Sequence, residues 1–155
     1  MTKSIRILIV EDNPADIDLI TDILAARDDV EISSAKDGVE ALQRLNEDGA
    51  WHEAGRPTLI LLDLNLPRKD GRHVLAVLKG DDVLRKIPVV ILSSSESDID
   101  IIGCYHLGAN SYLTKPVTLA DYRATVRSIE TFWLGSAKLP RREGHSVATR
   151  IGDIV

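Results

Sequence analysis

The stretch Thr58-Leu59-Ile60-Leu61-Leu62-Asp63 decides the fold, because an apolar run ends abruptly on a carboxylate. Such a run is typical of a strand buried on both faces, as in parallel sheets. Three similar segments also end on polar residues: Ile5–Val10 before Glu11-Asp12, Val89–Leu92 before Ser93, and Tyr112–Thr114 before Lys115. Open α/β sheets bind ligands beyond the carboxyl ends of their strands, so we expect these polar side chains to face one pocket.

Strand patterns alternate with helical patterns five times. This alternation predicts an α/β fold, a doubly wound five-stranded parallel sheet flanked by five helices. The length of 155 residues suits one domain, and the 44% hydrophobic content suits helices packed on such a sheet. We expect this domain over residues 4–134 and an extension of linker-like composition over 135–155, too short for an output domain.

Helix start signals support this order of elements. Asn13-Pro14 is a favourable opening for the first helix, and Asp37 with Glu40 three residues later resembles a capping box. Ser97 and Thr118 are expected to cap the fourth and fifth helices.

Composition argues against several classes of protein. A net charge of -5 argues against a nucleic-acid surface, and the single cysteine, Cys104, excludes an internal disulfide. No run approaches the roughly 18 apolar residues of a membrane span, and no secretory signal precedes the first strand. We expect a cytoplasmic protein without a membrane or nucleic-acid partner.

The acids at the strand ends predict a metal site. A hard cation such as Mg²⁺ takes oxygen ligands and needs only one or two carboxylates, which Glu11, Asp12 and Asp63 could supply together with the main-chain carbonyl of Asn65. Either Asp12 or Asp63 alone could have an ordinary role, as a helix cap or a strand end. The whole set at matched strand ends favours a site, because crowded carboxylates repel one another without a cation.

The same pocket is suited to phosphoryl chemistry. A carboxylate such as Asp63 can act as the nucleophile, and the transferred phosphoryl group needs its negative charge neutralised. Lys115 offers a compact cation and Ser93 a hydroxyl donor. Composition does not separate Ser93 from Ser94 and Ser95, but Ser93 directly follows the apolar strand.

From about Ser4 to Trp133 the order and spacing of these residues resemble the receiver domain of two-component response regulators. The resemblance implies a flavodoxin-like (CheY-like) fold and a phosphoryl group accepted from a sensor histidine kinase on Asp63. It implies Mg²⁺ bound by Glu11, Asp12, Asp63 and the Asn65 carbonyl. Glu11 departs from the family's commoner Asp, and its longer arm favours a water-mediated contact with the metal.

The resemblance also implies a conformational switch. Ser93 matches the hydroxyl switch and Tyr112 the aromatic switch, while Lys115-Pro116 matches a pair whose peptide bond is typically cis. Such a protein signals through its surface and catalyses only its own phosphorylation and dephosphorylation. In receivers the kinase docks beside the first helix, so the residues expected to contact it are Ala15, Asp16 and Leu19.

A narrower resemblance is to stand-alone response regulators that pair with phytochrome histidine kinases. It rests on Val10–Asp16, Asp63–Arg72, the lengthened loop before Pro57, and Phe132-Trp133-Leu134 near Leu139-Pro140. It implies a phytochrome as the partner kinase.

Three alternatives compete with this interpretation. A haloacid-dehalogenase-like phosphohydrolase would need an acid at position 65, where Asn65 cannot transfer a proton. A receiver that only scaffolds would be expected to lack Asp63 or Lys115, and both are present. A flavodoxin-like flavin binder would need a phosphate loop where Glu11-Asp12 stands.

The C-terminal part suggests a homodimer. Phe132-Trp133-Leu134, Leu139 and the distal Ile151, Ile154 and Val155 would all gain by burial. An arm crossing a two-fold axis would bury them and use one patch twice. The competing account folds this tail back onto its own domain.

Overall fold

The structure, a computed structural model, describes residues 5–46 and 56–140. Within them a parallel sheet has the strand order β2-β1-β3-β4-β5. Its strands are β1 Ile5–Val10, β2 Val30–Ala35, β3 Leu59–Leu62, β4 Val89–Ser93 and β5 Ser111–Thr114. The helices are α1 Pro14–Leu24, α2 Gly38–Leu45, α3 Gly71–Gly80, α4 Asp98–Leu107 and α5 Leu119–Ile129. The predicted doubly wound fold is confirmed.

Two apolar clusters cover the two faces of the sheet. In β1, Leu8 and Val10 face the cluster under α2, α3 and α4, while Ile7 and Ile9 face the cluster under α1 and α5. All four residues of β3 are buried, as the opening apolar run predicts for a central strand. Burial on both faces fixes the register of this strand, and with it the position of Asp63.

Side-chain caps begin the helices where the sequence predicts them. Asn13, Ser97 and Thr118 each accept a backbone N–H from the first turn of their helix. The capping box at α2 is only half formed, since Asp37 accepts from the Glu40 N–H but Glu40 accepts from the N–H of Lys36. The return hydrogen bond therefore reaches one residue further back than expected.

The C-terminal end of the described residues packs back onto the domain. A π-helical segment, Glu130–Ser136, continues directly from α5. It buries Leu134 and packs Trp133 against the cluster under α1 and α5, while Phe132 remains 54% exposed. Leu139 packs against the same cluster, so up to this residue the chain folds back onto its own domain.

Several sequence expectations lie outside the described residues. They include most of the lengthened loop before Pro57 and the distal apolar residues Ile151, Ile154 and Val155. Among the helices that are described, none combines the length and apolar character needed to cross a bilayer.

Candidate functional site

The sheet brings the predicted site residues to one edge. Backbone hydrogen bonds continue past the strand ends, from Glu11 N–H to the Ala35 carbonyl at 3.0 Å and from Asp63 N–H to the Val10 carbonyl at 3.0 Å. The Lys115 N–H donates to the Ser93 carbonyl at 2.7 Å. These bonds align the end of β1 with β2 and β3 and the end of β5 with β4, and the pairing of Leu62 with Ile91 aligns β3 with β4. The side chains that follow these strands therefore share one pocket.

Lys115 lies at the centre of this pocket. Its ammonium group donates to Glu11 Oε1, to Asp16 Oδ2 at 3.0 Å and to Asp63 Oδ2 at 3.3 Å. Burial alone would lower the pKa of Lys115, but the hydrogen bond and charge of Glu11, with Asp63 and Asp16, raise it above its ordinary value. Lys115 is therefore a fixed positive charge among carboxylates.

Glu11 is the most buried acid of the group, and burial raises its pKa well above that of an ordinary carboxyl group. Both of its oxygens are engaged, because Oε1 accepts from Lys115 and Oε2 accepts from the backbone N–H groups of Asp12 at 3.0 Å and Asn13 at 3.2 Å. These bonds leave Glu11 less free than the exposed Asp12 to contact a metal directly.

The donor set fits a divalent metal ion. Glu11, Asp12 and Asp63 each offer a carboxylate oxygen, and these atoms all lie within 4.8 Å of one another. Oxygen-only ligands at this spacing suit a hard cation that keeps several waters. Asn65, the fourth predicted ligand, follows Asp63 closely enough for its N–H to lie 3.4 Å from Asp63 Oδ1.

The loop after β3 is held in place by close backbone contacts and by an ion pair. The Gly71 N–H donates to the Leu64 carbonyl at 2.8 Å, and a Cβ at Gly71 would lie 2.2 Å from the Asp63 carbonyl oxygen. Arg68, at a positive φ of 65°, binds both carboxylate oxygens of Asp37 at 3.0 Å. The start of α3 therefore packs directly against the backbone of Asp63, and this contact fixes the direction of the Asp63 backbone.

The two predicted switch residues meet at the loop between β4 and α4. Ser93 is the last residue of β4 rather than the first after it, is fully buried, and accepts the Ser95 N–H on its Oγ at 3.2 Å. The Tyr112 hydroxyl donates to the Ser95 carbonyl at 2.8 Å. Both contacts lead to the backbone of Ser95, a residue that sequence reasoning did not distinguish from its neighbours.

Ser95 also joins this loop to α3 and α4. Its hydroxyl lies 2.5 Å from Asp100 Oδ2, and Asp100 Oδ1 forms an ion pair with Arg72. The Ser95 hydrogen bond and then Arg72 hold the pKa of Asp100 below its ordinary value. A chain of polar contacts thus runs from Ser93 to the start of α3.

The residues expected to meet the kinase do not share one exposed flank. Ala15 is exposed, but Leu19 is half-buried and packs against the cluster under α1 and α5. The Asp16 side chain turns inward to Lys115. The first turn of α1 lies beside the pocket. Some of its side chains therefore point into the pocket and others point to solvent.

One further expectation is wrong. No peptide bond in residues 5–46 and 56–140 is cis, so Lys115-Pro116 is trans. Lys115 nevertheless reaches the three carboxylates from the end of β5. Sequence reasoning assigned Asp16 to the kinase surface and missed its contact with Lys115, although Asp16 lies in the first turn of α1, which closely follows the acids at the end of β1.

The fold and this pocket define a class of protein. Residues 7–127 match the response regulator receiver domain family, and the chain belongs to this family. The match decides against the phosphohydrolase and flavin-binding alternatives. The chain is a response regulator receiver of the two-component kind.

The chain is similar over most of its length to two cyanobacterial response regulators. The response regulator Rcp1 of Synechocystis is 45% identical over 86% of this chain and 92% of its own length. Its Mn²⁺-bound crystal structure has a TM-score of 0.83, covering 87% of this chain and 98% of that one. Phosphorylated RcpA, a cyanobacterial phytochrome response regulator, is 48% identical with the same TM-score, covering 87% and 97% of the two chains.

A bacterial protein extends this comparison. The bacteriophytochrome response regulator AtBRR is 41% identical over 83% of this chain and 94% of its own, with a TM-score of 0.62. The chain is therefore homologous to phytochrome response regulators. Receiver domains bind a divalent metal and partner with histidine kinases, and the acidic cluster fits the first of these properties.

Proposed function

We propose that Asp63 accepts a phosphoryl group from a phytochrome-type histidine kinase, with Mg²⁺ as the metal. The observation that carries this proposal is the buried Asp63 carboxylate, which lies within 4.8 Å of two further acids and 3.3 Å from the Lys115 ammonium group. Its relatives among phytochrome response regulators support the choice of kinase.

In the transfer step an Asp63 carboxylate oxygen attacks phosphorus. An O–P bond forms as the N–P bond of the kinase's phosphohistidine breaks, and the histidine nitrogen leaves with the electron pair. Lys115 neutralises one phosphoryl oxygen, and the Ser93 hydroxyl donates to another. The chain catalyses this step and the later hydrolysis on itself alone.

Asp12, Asp63 and the Asn65 carbonyl would hold Mg²⁺ directly, and Glu11 would hold it through water, since both Glu11 oxygens are already engaged. When bound, the ion supplies positive charge to the transferring phosphoryl group. This partnership with a kinase also implies a cytoplasmic location.

Phosphorylation is read by Ser93 and Tyr112. When Ser93 turns its hydroxyl to the phosphoryl group it gives up the Ser95 N–H, and the loop that also holds Tyr112 must follow. The message then leaves through the surface of α4, β5 and α5. The kinase docks beside α1, where Ala15 is the exposed contact among the three expected residues and Asp16 and Leu19 contribute their remaining accessible surface.

Labelling with acetyl phosphate and with a bacteriophytochrome kinase tests the assignment. The wild-type chain should take up phosphate with the acid and base lability of an acyl phosphate only with Mg²⁺, and Asp63→Asn should take up none. Asp18→Asn, an exposed acid on α1, is the matched control and should label like wild type. Persistent labelling of Asp63→Asn with the same lability would refute the site, and no labelling of wild type would favour a receiver that only scaffolds.

We further propose that the receiver spans residues 4–134 and that the extension 135–155 helps to form a homodimer. Large apolar side chains remain exposed on the surface that the switch alters, with Ile99 at 84%, Ile102 at 68% and Leu119 at 61%. A second copy would bury such a surface, whereas Leu139 already packs on its own domain. Leu139 is therefore not counted among the side chains that a second copy would cover.

Light scattering distinguishes the roles of the extension and of the surface. The full chain should be dimeric at micromolar concentration, and a version ending after Pro140 should form a weaker dimer, which dissociates at a higher concentration than the full chain does. Ile102→Glu should weaken the dimer in both versions. A full chain that stays monomeric at high micromolar concentration, with and without beryllium fluoride, would contradict the dimer.

A further inference from the structure

The three hydrogen-bond donors of Lys115 are fully used. Its ammonium group carries three N–H bonds, and three carboxylates accept them: Glu11, Asp16 and Asp63. A phosphoryl oxygen on Asp63 can therefore be bound by Lys115 only if one of these carboxylates gives up its hydrogen bond.

The three carboxylates differ in how easily a water molecule could replace the hydrogen bond that each accepts from Lys115. The Glu11 side chain is 4% exposed and the Asp63 side chain 8% exposed, so each would leave an unpaired charge out of contact with water. The Asp16 side chain is 20% exposed, at the first turn of α1. Because a partly exposed carboxylate can rehydrate, Asp16 is the partner whose release costs least.

We propose that Asp16 is a positioning residue that occupies the third donor of Lys115 until a phosphoryl group replaces it. This inference rests on the proposed role of Asp63. It adds that Asp16 helps to set the affinity of the pocket for a phosphoryl group. Asp16 holds Lys115 towards α1 in the unphosphorylated protein. Its carboxylate returns to solvent on α1 when Lys115 turns to the phosphoryl oxygen.

The replacement predicts that Asp16 competes with phosphate. Asp16→Asn keeps the size of the side chain but removes its charge, which leaves Lys115 freer and lowers the repulsion felt by an anion. Binding of beryllium fluoride, a non-covalent phosphoryl mimic, should then tighten by about fivefold in the presence of Mg²⁺, the order expected for losing the net contribution of one typical competing hydrogen bond. Asp18→Asn removes the same charge from the exposed side of the same helix and should leave the affinity within about twofold.

A double-mutant cycle shows whether the effect passes through Lys115. In a Lys115→Ala background, Asp16→Asn should change the affinity no more than Asp18→Asn does, because there is no ammonium group left to release. If Lys115→Ala binds too weakly to titrate, the comparison of Asp16→Asn with Asp18→Asn decides alone. A merely structural role for Asp16 would not produce tighter binding that depends on Lys115.

Three results would overturn the proposal. Equal tightening by Asp16→Asn and Asp18→Asn would assign the effect to overall charge. Tightening that persists without Lys115 would assign the effect to repulsion between the Asp16 carboxylate and the bound anion. Weaker binding by Asp16→Asn would show that Asp16 holds Lys115 in the productive position. Binding by wild type that is lost in Asp63→Asn would leave the proposed function intact in each case. No binding by wild type would instead count against the proposed function and would remove the basis of this inference.

Discussion

The two sides of the pocket are built from different interactions. On the lysine side, made of Glu11, Asp16 and Lys115, charges meet charges with 20% exposure or less. On the loop side, made of Ser93, Ser95, Tyr112, Asp100 and Arg72, hydroxyl and backbone groups predominate, and the one ion pair has side chains that are 22% and 38% exposed.

This difference separates chemistry from signalling. Buried charges are costly to leave unpaired, so the lysine side keeps its arrangement until another negative charge arrives. Hydrogen bonds of the partly exposed Ser95 and Asp100 exchange with water at small cost, so this part of the loop side can move. Four substitutions test this separation.

Lys115→Ala should have the largest effect, because it breaks the lysine side at its centre. Loss of the cation that faces the phosphoryl group should slow acetyl phosphate labelling of Asp63 by about 10²- to 10³-fold, as for other single groups that stabilise transition-state charge. Lys138→Ala is the control, since Lys138 is exposed near Ile5 and Thr58, at the end of the sheet away from the pocket. Labelling within a fewfold of wild type in Lys115→Ala would show that the metal and Ser93 suffice.

Gly71→Ala should disturb both sides through the backbone of Asp63. The added Cβ would lie 2.2 Å from the Asp63 carbonyl oxygen, so α3 must shift, and we expect a loss of about 1–3 kcal/mol in the free energy of unfolding together with slower labelling. Gly80→Ala lies in the same helix with no heavy atom within 4 Å of its Cβ. Chemical denaturation should find that control at least as stable as wild type, and similar losses in both variants would contradict the close approach at Gly71.

Ser93→Ala should separate the two sides. Lys115 and the acids stay in place, so labelling of Asp63 should be largely retained. The phosphorylation-dependent change in amide exchange on α4, β5 and α5 should be blunted, because the link to Ser95 is lost. The neighbouring exposed Ser94→Ala should retain the full response, and an equal response in Ser93→Ala would place the switch elsewhere.

Asp100→Asn should have the smallest effect, confined to the loop side and dependent on pH. The pKa of Asp100 is lowered from its ordinary 3.8, so its stabilising contribution is present above that value and is lost as pH falls through the lower folded pKa. The melting temperature of Asp100→Asn should therefore lie below that of wild type at neutral pH, and the gap should close in acid. A difference in melting temperature that stays constant from pH 7 to pH 2 would show that the charge of Asp100 does not cause it. Asp98→Asn is the control, because it removes another acidic side chain from the first turn of α4.

Several features of the site can be predicted from the sequence because they depend on the pattern of apolar and polar residues along each segment. Apolar runs that end on Glu11, Asp63, Ser93 and Lys115 imply buried parallel strands, and parallel strands of one sheet must bring their carboxyl ends to one edge. The order of the five strands and helices follows from the same patterns, and most helix starts follow from single capping residues. These inferences need only neighbours in sequence.

The contacts of the lysine and loop sides depend instead on how distant elements pack. Asp16 meets Lys115 across 99 positions because α1 starts beside the end of β5 in space, and Ser95 is singled out only by its bonds to Asp100 and Tyr112. Sequence determined that Asp63 stands at a strand end among acids and a lysine, because hydrophobic burial fixes strand register. Tertiary structure alone decided which of those acids hold the lysine, because that choice depends on the direction of each side chain and its access to water.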